Sequence, residues 1–288
     1  MPADCNIPVN TNLPLLEPYR TGSYLSYDYK PGDPDNYREG TAIGLRASGS
    51  HQLNLEDLQK RLTTLAHNVK PGGQLYLVDL RQESHAFFNG RAVSWYADKD
   101  WANVGQSPEW VQHDEENQIK RLNEWPSANT VKIFCVQKAP GDLVLPIGFS
   151  EVAVTSAMLE ADVARQMQPA VEYRRFHTTD HCKPDADAKD GFLGFCRLSN
   201  QADWVHFHCH GGDGRTTTFL AMYHMFWWVK TQPPPYPSVE WFAEEQVTIF
   251  KYNLNPGKCD PNKDWKCALA RERWEFLSEW LSSLIDKT

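Results

Sequence analysis

The sequence has no apolar run of 18 residues; the apolar stretch Phe219 to Val229 is too short to cross a bilayer and contains His224, so no membrane span is expected. It also lacks a basic run and any RNA-binding signature, and its net charge is −8, so nucleic acid is not an expected partner. The opening Met-Pro-Ala-Asp-Cys-Asn has neither the basic segment nor the apolar core of a secretory signal. Cys135, Cys182 and Cys196 lack metal-ligand spacing. Cys259 and Cys267 are close enough in sequence to bridge, with free thiols as the default expectation. Repeats and low-complexity tails are absent too. Tryptophan, by contrast, is abundant: 11 residues point to a well-filled core, and a length of 288 suits one large domain or two modest ones.

Residues 1 to about 40 are rich in Pro, Tyr, Asn and Gly and read as an extended arm with loops. Asn54 caps a helix that carries Leu55, Leu58, Leu62 and Leu65 on one face and ends at Pro71-Gly-Gly. Leu75 to Leu80 reads as a buried strand running into the polar set Asp79 to His85. Ser107-Pro108 opens a helix to about Glu124. Between Thr130 and Thr155, short β-like runs (131–136, 143–145, 152–155) are broken by Pro140-Gly141 and Pro146. A strand at Val171 to Phe176 and a helix at Ala188 to Leu198 follow. Ser238 caps a helix through Phe250, and a last helix spans about Asp264 to Ile285.

One stretch organises the rest: Trp204-Val-His-Phe-His-Cys-His-Gly-Gly-Asp-Gly-Arg-Thr-Thr-Thr. It reads as strand, glycine-rich loop, helix. The loop residues His210, Gly211, Gly212, Asp213 and Gly214 can curl with their amides inward, an anion nest at a helix N-terminus. Arg215 adds a planar fork for two phosphate oxygens. Amides, helix dipole and Arg215 all favour the thiolate of Cys209, a nucleophile for phosphoryl transfer. Thr216 can donate to that sulfur and help it leave. A zinc site at His206, His208, Cys209 and His210 is disfavoured, because in a strand His206 and His208 share one face while Cys209 takes the other, and an arginine aimed inward repels a cation. No metal and no cofactor are expected.

The Cys-x5-Arg loop resembles the signature loop of the protein tyrosine phosphatase superfamily. Three stretches together resemble the bacterial cysteine phytases, the tyrosine-phosphatase-like inositol polyphosphate phosphatases: Asp79-Leu-Arg-Gln-Glu-Ser-His continuing through Val93 to Gly105, Tyr173-Arg-Arg-Phe-His-Thr-Thr-Asp180-His181, and His208-Cys209 to Thr217. The resemblance spans most of 43–285. It implies an α/β fold: a tyrosine-phosphatase-like core, a central sheet flanked by helices, filling the chain, with a small β-barrel-like subdomain inserted at about 130–160, possibly with part of the N-terminal arm. It implies Asp180 as general acid, then base, and His181 and Lys183 as phosphate contacts. Arg46 borders the pocket in this comparison, or is a surface residue. Asp79 and Arg81 either reach the site or form a structural ion pair. Lys266 and Arg273, seven apart on one helix face, match substrate-binding lysines, whereas Ala270 stands where the family has a tyrosine. The loop sequence His-Gly-Gly-Asp-Gly departs from the family's usual Glu-Ala-Gly-Val-Gly. The implied activity is stepwise, metal-independent dephosphorylation of phytate and lower inositol phosphates, a small anionic substrate. The alternatives are a phosphotyrosine or phosphoinositide phosphatase, possibly directed at a host, and an inactive inositol-phosphate-binding scaffold. The resemblance favours export (periplasmic or secreted) over a cytoplasmic location, and a monomer is the default.

Overall fold

The computed structural model describes residues 23–28, 35–124, 130–138, 142–249, 252–259 and 264–286. In chain order the elements are β1 (Tyr24–Tyr27), β2 (Arg38–Glu39), β3 (Ala47–Ser50), α1 (Leu55–Ala66), β4 (Leu75–Arg81), β5 (His85–Phe88), β6 (Arg91–Tyr96), α2 (Pro108–Glu124), β7 (Thr130–Lys138), β8 (Val144–Ala153), β9 (Ala157–Met158), α3 (Glu160–Gln166), β10 (Val171–Thr178), α4 (Ala186–Leu198), β11 (Trp204–His208), α5 (Gly214–Thr231), α6 (Val239–Ile249) and α7 (Asp264–Ile285). The chain divides into two compact units. One takes β1, Leu53–Arg61 and Gln82–Met167; the other takes 35–52, Leu62–Arg81 and everything described from Gln168 onward.

The first unit is a six-stranded sheet in the order β8-β7-β1-β6-β5-β9. Its pairings are antiparallel except β1 with β7. Leu25, Phe88, Val93, Trp95, Ile119 and Ile133 form its core. The short β-like runs expected between 130 and 155 are two long strands forming one antiparallel hairpin. Pro146 does not end β8: the register shifts between Cys135 and Val136, beside it, so the residue lacking an N–H sits at a ladder irregularity. The described pairings leave β8 and β9 as sheet edges and do not close the sheet into a barrel.

The second unit holds a five-stranded sheet in the order β10-β4-β11-β3-β2, parallel except for β2. β11 is central and buried at every residue. Val205 and Phe207 face a core shared with Phe192, Phe219, Tyr223 and Trp280. α5 is buried nearly all round, as expected of a central helix. Parallel strands need crossovers, and helices supply them, so the carboxyl ends of β4, β10 and β11 lie along one edge.

The expectation of free thiols at Cys259 and Cys267 is corrected: they form a disulfide with Cα atoms 5.6 Å apart. The turn Pro256–Lys258, capped by Asn255 accepting from Gly257 N, and the start of α7 bring them within bridging range. Among the described residues, no helix is long and apolar enough to cross a membrane.

Candidate active site

The loop after β11 begins at Cys209, which is only 2% exposed and lies at the floor of the turn. Gly212 has φ +75°, and a Cβ there would meet His51 N at 2.5 Å, so both conformation and space demand glycine. The loop's carbonyls are taken by donors around it: Gln52 N donates to His210 O (3.1 Å), and Thr217 N and Oγ1 donate to Asp213 O (2.9 and 2.6 Å). Gly214 opens α5, so the first orphan amides of that helix border the same turn.

Arg215 and Thr216 follow in the first turn of α5, both buried. Thr216 Oγ1 donates to Cys209 Sγ at 3.1 Å. Arg215 turns inward: Nη1 donates to Thr178 O at the end of β10 (3.1 Å), and Nε lies 3.1 Å from Asp180 Oδ1. Asp180 Oδ2 is 3.1 Å from His181 Nε2. His181 adopts a left-handed backbone (φ 66°) and packs edge-on against Trp265, ring centroids 5.1 Å apart. Burial pulls its pKa down to about 4. Asp180 opposes that shift, while Lys266, Arg215 and Arg273 reinforce it. His181 is thus a neutral donor toward Asp180 at pH 7, surrounded by three cations.

Arg273 from α7 comes against the loop, since a Cβ on Gly214 would lie 2.6 Å from its Nη1. Its Nη2 donates to Tyr252 Oη (3.1 Å), while the buried Nε and Nη1 have no hydrogen-bond partner among the described residues. Lys266 Nζ rests 5.2 Å above the Trp265 ring. Lys183 is exposed, two residues past His181. Asp213 is exposed, and desolvation by its surroundings raises its carboxyl, opposed by Arg38 and reinforced by Asp180.

Two expected residues take other places. Asp79 is fully buried and spent on structure. Its carboxylate accepts from Tyr173 Oη (2.7 Å) and Arg81 N (2.8 Å) and pairs with Arg175 Nε (2.9 Å), while Arg81 Nη1 donates to Gln52 Oε1 (3.1 Å). Arg46 is corrected: it precedes β3, which runs parallel to β11, so it lies at the strand end opposite Cys209. There its guanidinium donates to Asp203 O (3.2 Å), Asn68 O and Ala202 O (3.4 Å). His206 is structural. Trp204 Nε1 donates to Ser48 Oγ, which is 2.9 Å from His206 Nδ1. Ser50 Oγ, whose proton goes to His51 O, lies 3.2 Å from Nε2. Both ring nitrogens are thereby occupied.

Sequence reasoning missed Asn36 and Arg38. Asn36 Nδ2 donates to Gly211 O (2.6 Å), and Arg38 Nη1 donates to Gly212 O (2.5 Å). They lie in a stretch without periodicity, and nothing local in the sequence marks them.

Comparison with known proteins follows this geometry. The structure resembles the tyrosine-phosphatase-like myo-inositol phosphatase of Mitsuokella multacida in complex with myo-inositol-(1,3,4,5)-tetrakisphosphate: 26% identity, TM-score 0.77, 94% of this chain and 47% of that one. It also resembles a tyrosine-phosphatase-like phytase of Bdellovibrio bacteriovorus: 28% identity, TM-score 0.70, 96% and 94% of the two chains. In sequence it is 32% identical over 194 residues to effector protein HopD2 of Pseudomonas syringae pv. tomato, covering 64% of this chain and 39% of the effector. The chain thus spans less than half the length of the effector and of the Mitsuokella protein. The family model described by inositol hexakisphosphate matches residues 78–227, just over half of the 288, and on that match the chain belongs to the tyrosine-phosphatase-like phytases.

Proposed function

We propose that this protein removes phosphates stepwise from myo-inositol hexakisphosphate and lower inositol phosphates without a metal. Cys209 Sγ attacks phosphorus and the P–O ester bond breaks in line. The leaving inositol oxygen takes a proton from Asp180, and a phosphocysteine remains. Asp180 then accepts a proton from water as that water attacks phosphorus. The S–P bond breaks, with Thr216 donating to the departing sulfur and inorganic phosphate released. Arg215 binds the equatorial oxygens with the loop amides, where the transferring charge gathers. Arg215 Nε lies 3.1 Å from Asp180 Oδ1, and an incoming phosphoryl group competes for that fork. This frees Asp180 to address the leaving oxygen. Arg273, Lys266, Lys183 and His181 are read as contacts for the remaining phosphates, and the first unit's sheet as the small β domain inserted in the phosphatase core.

The observation that carries the reading is the convergence, within one unit, of Cys209, Thr216, Arg215 and Asp180 beside a buried arginine, Arg273, that has two unpartnered nitrogens. Several cations around one thiol fit a substrate with several phosphates better than one with a single phosphate. A second reading, a phosphotyrosine or phosphoinositide phosphatase, draws support from the effector relative and from Ala270, which removes a family substrate contact. Phytate digestion with product analysis, run against a phosphotyrosine peptide in competition, decides between them. Successive appearance of penta- and tetrakisphosphates with little peptide turnover is expected. Strong preference for the peptide establishes the second reading, and tight phytate binding with no phosphate release would leave only a binding protein.

A further inference from the structure

A trans peptide places the carbonyl of one residue and the N–H of the next on opposite sides of the chain. Each donor that captures a loop carbonyl from outside therefore turns the following amide inward. Gln52 N does this for the peptide after His210, and Thr217 does it for the peptide after Asp213. The two peptides between them, after Gly211 and Gly212, are governed by Asn36 and Arg38. An anion nest at this turn consequently depends on a short segment some 175 residues earlier in the chain.

We propose that Arg38 is a positioning residue for the phosphoryl site: it holds the Gly212–Asp213 peptide with its amide inward, and it places a second buried positive charge behind the Cys209 sulfur. This rests on the reading of Cys209 as nucleophile. Nη1 bridges Gly212 O (2.5 Å) and Asn36 O (2.9 Å), while Nη2 donates to Thr217 Oγ1 (2.9 Å). Thr217 Oγ1 passes its own proton to Asp213 O, so one guanidinium secures two successive loop carbonyls, the second by relay. A planar fork can do this; a lysine, a single point of charge, cannot. The register opposes Arg38 to Gly49, and a Cβ there would stand 3.4 Å from Arg38 Cζ and 2.6 Å from Thr216 Cγ2. The glycine in β3 thus leaves room for both Arg38 and Thr216. Arg38 is 3% exposed. Burial brings its pKa down to about 10, and the Cys209 and Asp213 charges hold it up, so it remains a cation at neutral pH. It also offsets the one acidic side chain of the loop.

The experiment compares wild type, Arg38→Met and Arg38→Lys, each shown to be folded by thermal melting. It reads iodoacetate alkylation of the Cys209 peptide at pH 6, where only thiolate reacts, together with kcat and KM on phytate. Arg38→Met should slow alkylation about tenfold and lower kcat about 100-fold, the scale of one lost oxyanion donor, with a smaller change in KM. Arg38→Lys should recover much of the alkylation, because charge returns, but not kcat, because the fork does not. Folded Arg38→Met with wild-type alkylation and kcat would overturn the proposal. Should Arg38→Met not fold, Arg38→Lys decides, and wild-type values of both in that variant overturn it equally. Failure of wild-type Cys209 to react at pH 6 would count instead against Cys209 as nucleophile.

Discussion

At the amino ends of β3 and β11 Arg46 finds its acceptors inside the protein. Arg46 is consumed by backbone carbonyls of Asp203, Asn68 and Ala202. Asp203 in turn accepts from Gln74 N and Asn200 N, both at 2.8 Å, and Lys70 N donates to Ala202 O. At the carboxyl ends of the same strands the pattern reverses. The loop carbonyls of Gly211 and Gly212 are satisfied by Asn36 and Arg38, and Arg273 keeps two buried nitrogens without a partner among the described residues. Buried donors left unpaired cost free energy, on the order of 1–3 kcal/mol each. A fold retains them where an external acceptor completes them. On the proposed function, one end of the sheet is a clamp and the other is a receptor for an anion.

The sharpest way to break that contrast is to remove the sulfur. Cys209→Ser should lower phosphate release by about a thousandfold or more, while inorganic phosphate still protects the protein against thermal unfolding. Residual turnover near wild type would mean that the carboxyl end binds anions without using its thiol. The next largest effect is expected at the acid. Asp180→Asn should slow phytate hydrolysis by about 10²–10⁴, because an inositol alkoxide cannot leave unprotonated, and should slow an aryl phosphate far less. Equal losses on both esters would take Asp180 out of proton transfer and make it only a partner for Arg215.

The parts of this arrangement legible in the sequence are those held by short spacing. Cys209, Arg215 and Thr216 are fixed by one loop and one helical turn, and Lys266 and Arg273 share a face because α7 is regular from Asp264 to Ile285. Asp180 was reached through resemblance, not spacing, since about thirty residues separate it from the loop. Arg46 was misplaced because adjacency to Ser48-Gly-Ser50 does not say which end of a strand a residue occupies; that depends on the direction of β11 relative to β3. Arg38 and Asn36 were invisible because their partners are more than 170 positions away, and side-chain-to-carbonyl bonds leave no periodic trace.

Two histidines sharpen the contrast at a smaller scale. His181 and His224 both have pKa values lowered to about 4, but from different causes. His224, buried among Trp228, Trp241 and Phe242, is shifted by desolvation alone. His181 also feels Lys266, Arg215 and Arg273. In both, the unfolded chain binds a proton near pH 6.5 and the folded chain does not until about 4. Their contribution is therefore complete above pH 6.5 and lost as pH falls through that window, about 2 kcal/mol each between pH 7.5 and 5. Urea midpoints for His224→Phe should fall less steeply toward pH 5 than those of wild type. In an NMR titration, saturating phosphate should raise the pKa of His181 by neutralising its cations and leave His224 unmoved. Equal responses would show that the cations around His181 are not an anion site.

The smallest effect on catalysis is expected at the clamp. Arg46→Ala removes donors from three carbonyls and a cation–π contact with Trp204, whose ring lies 5.6 Å from Cζ. Asn68 and Ala202 are half-buried, so their carbonyls can recruit water, whereas Asp203 is buried; the loss of stability should be about 1–2 kcal/mol. Because these donors face the far end of β3 from Cys209, kcat and KM on phytate should change by less than about twofold, a change below about 0.4 kcal/mol. A rise in KM of tenfold or more with unchanged stability would mean that a phosphate is held at the amino end as well. The division of the strands into clamp and receptor would then be wrong at the residue on which it was drawn.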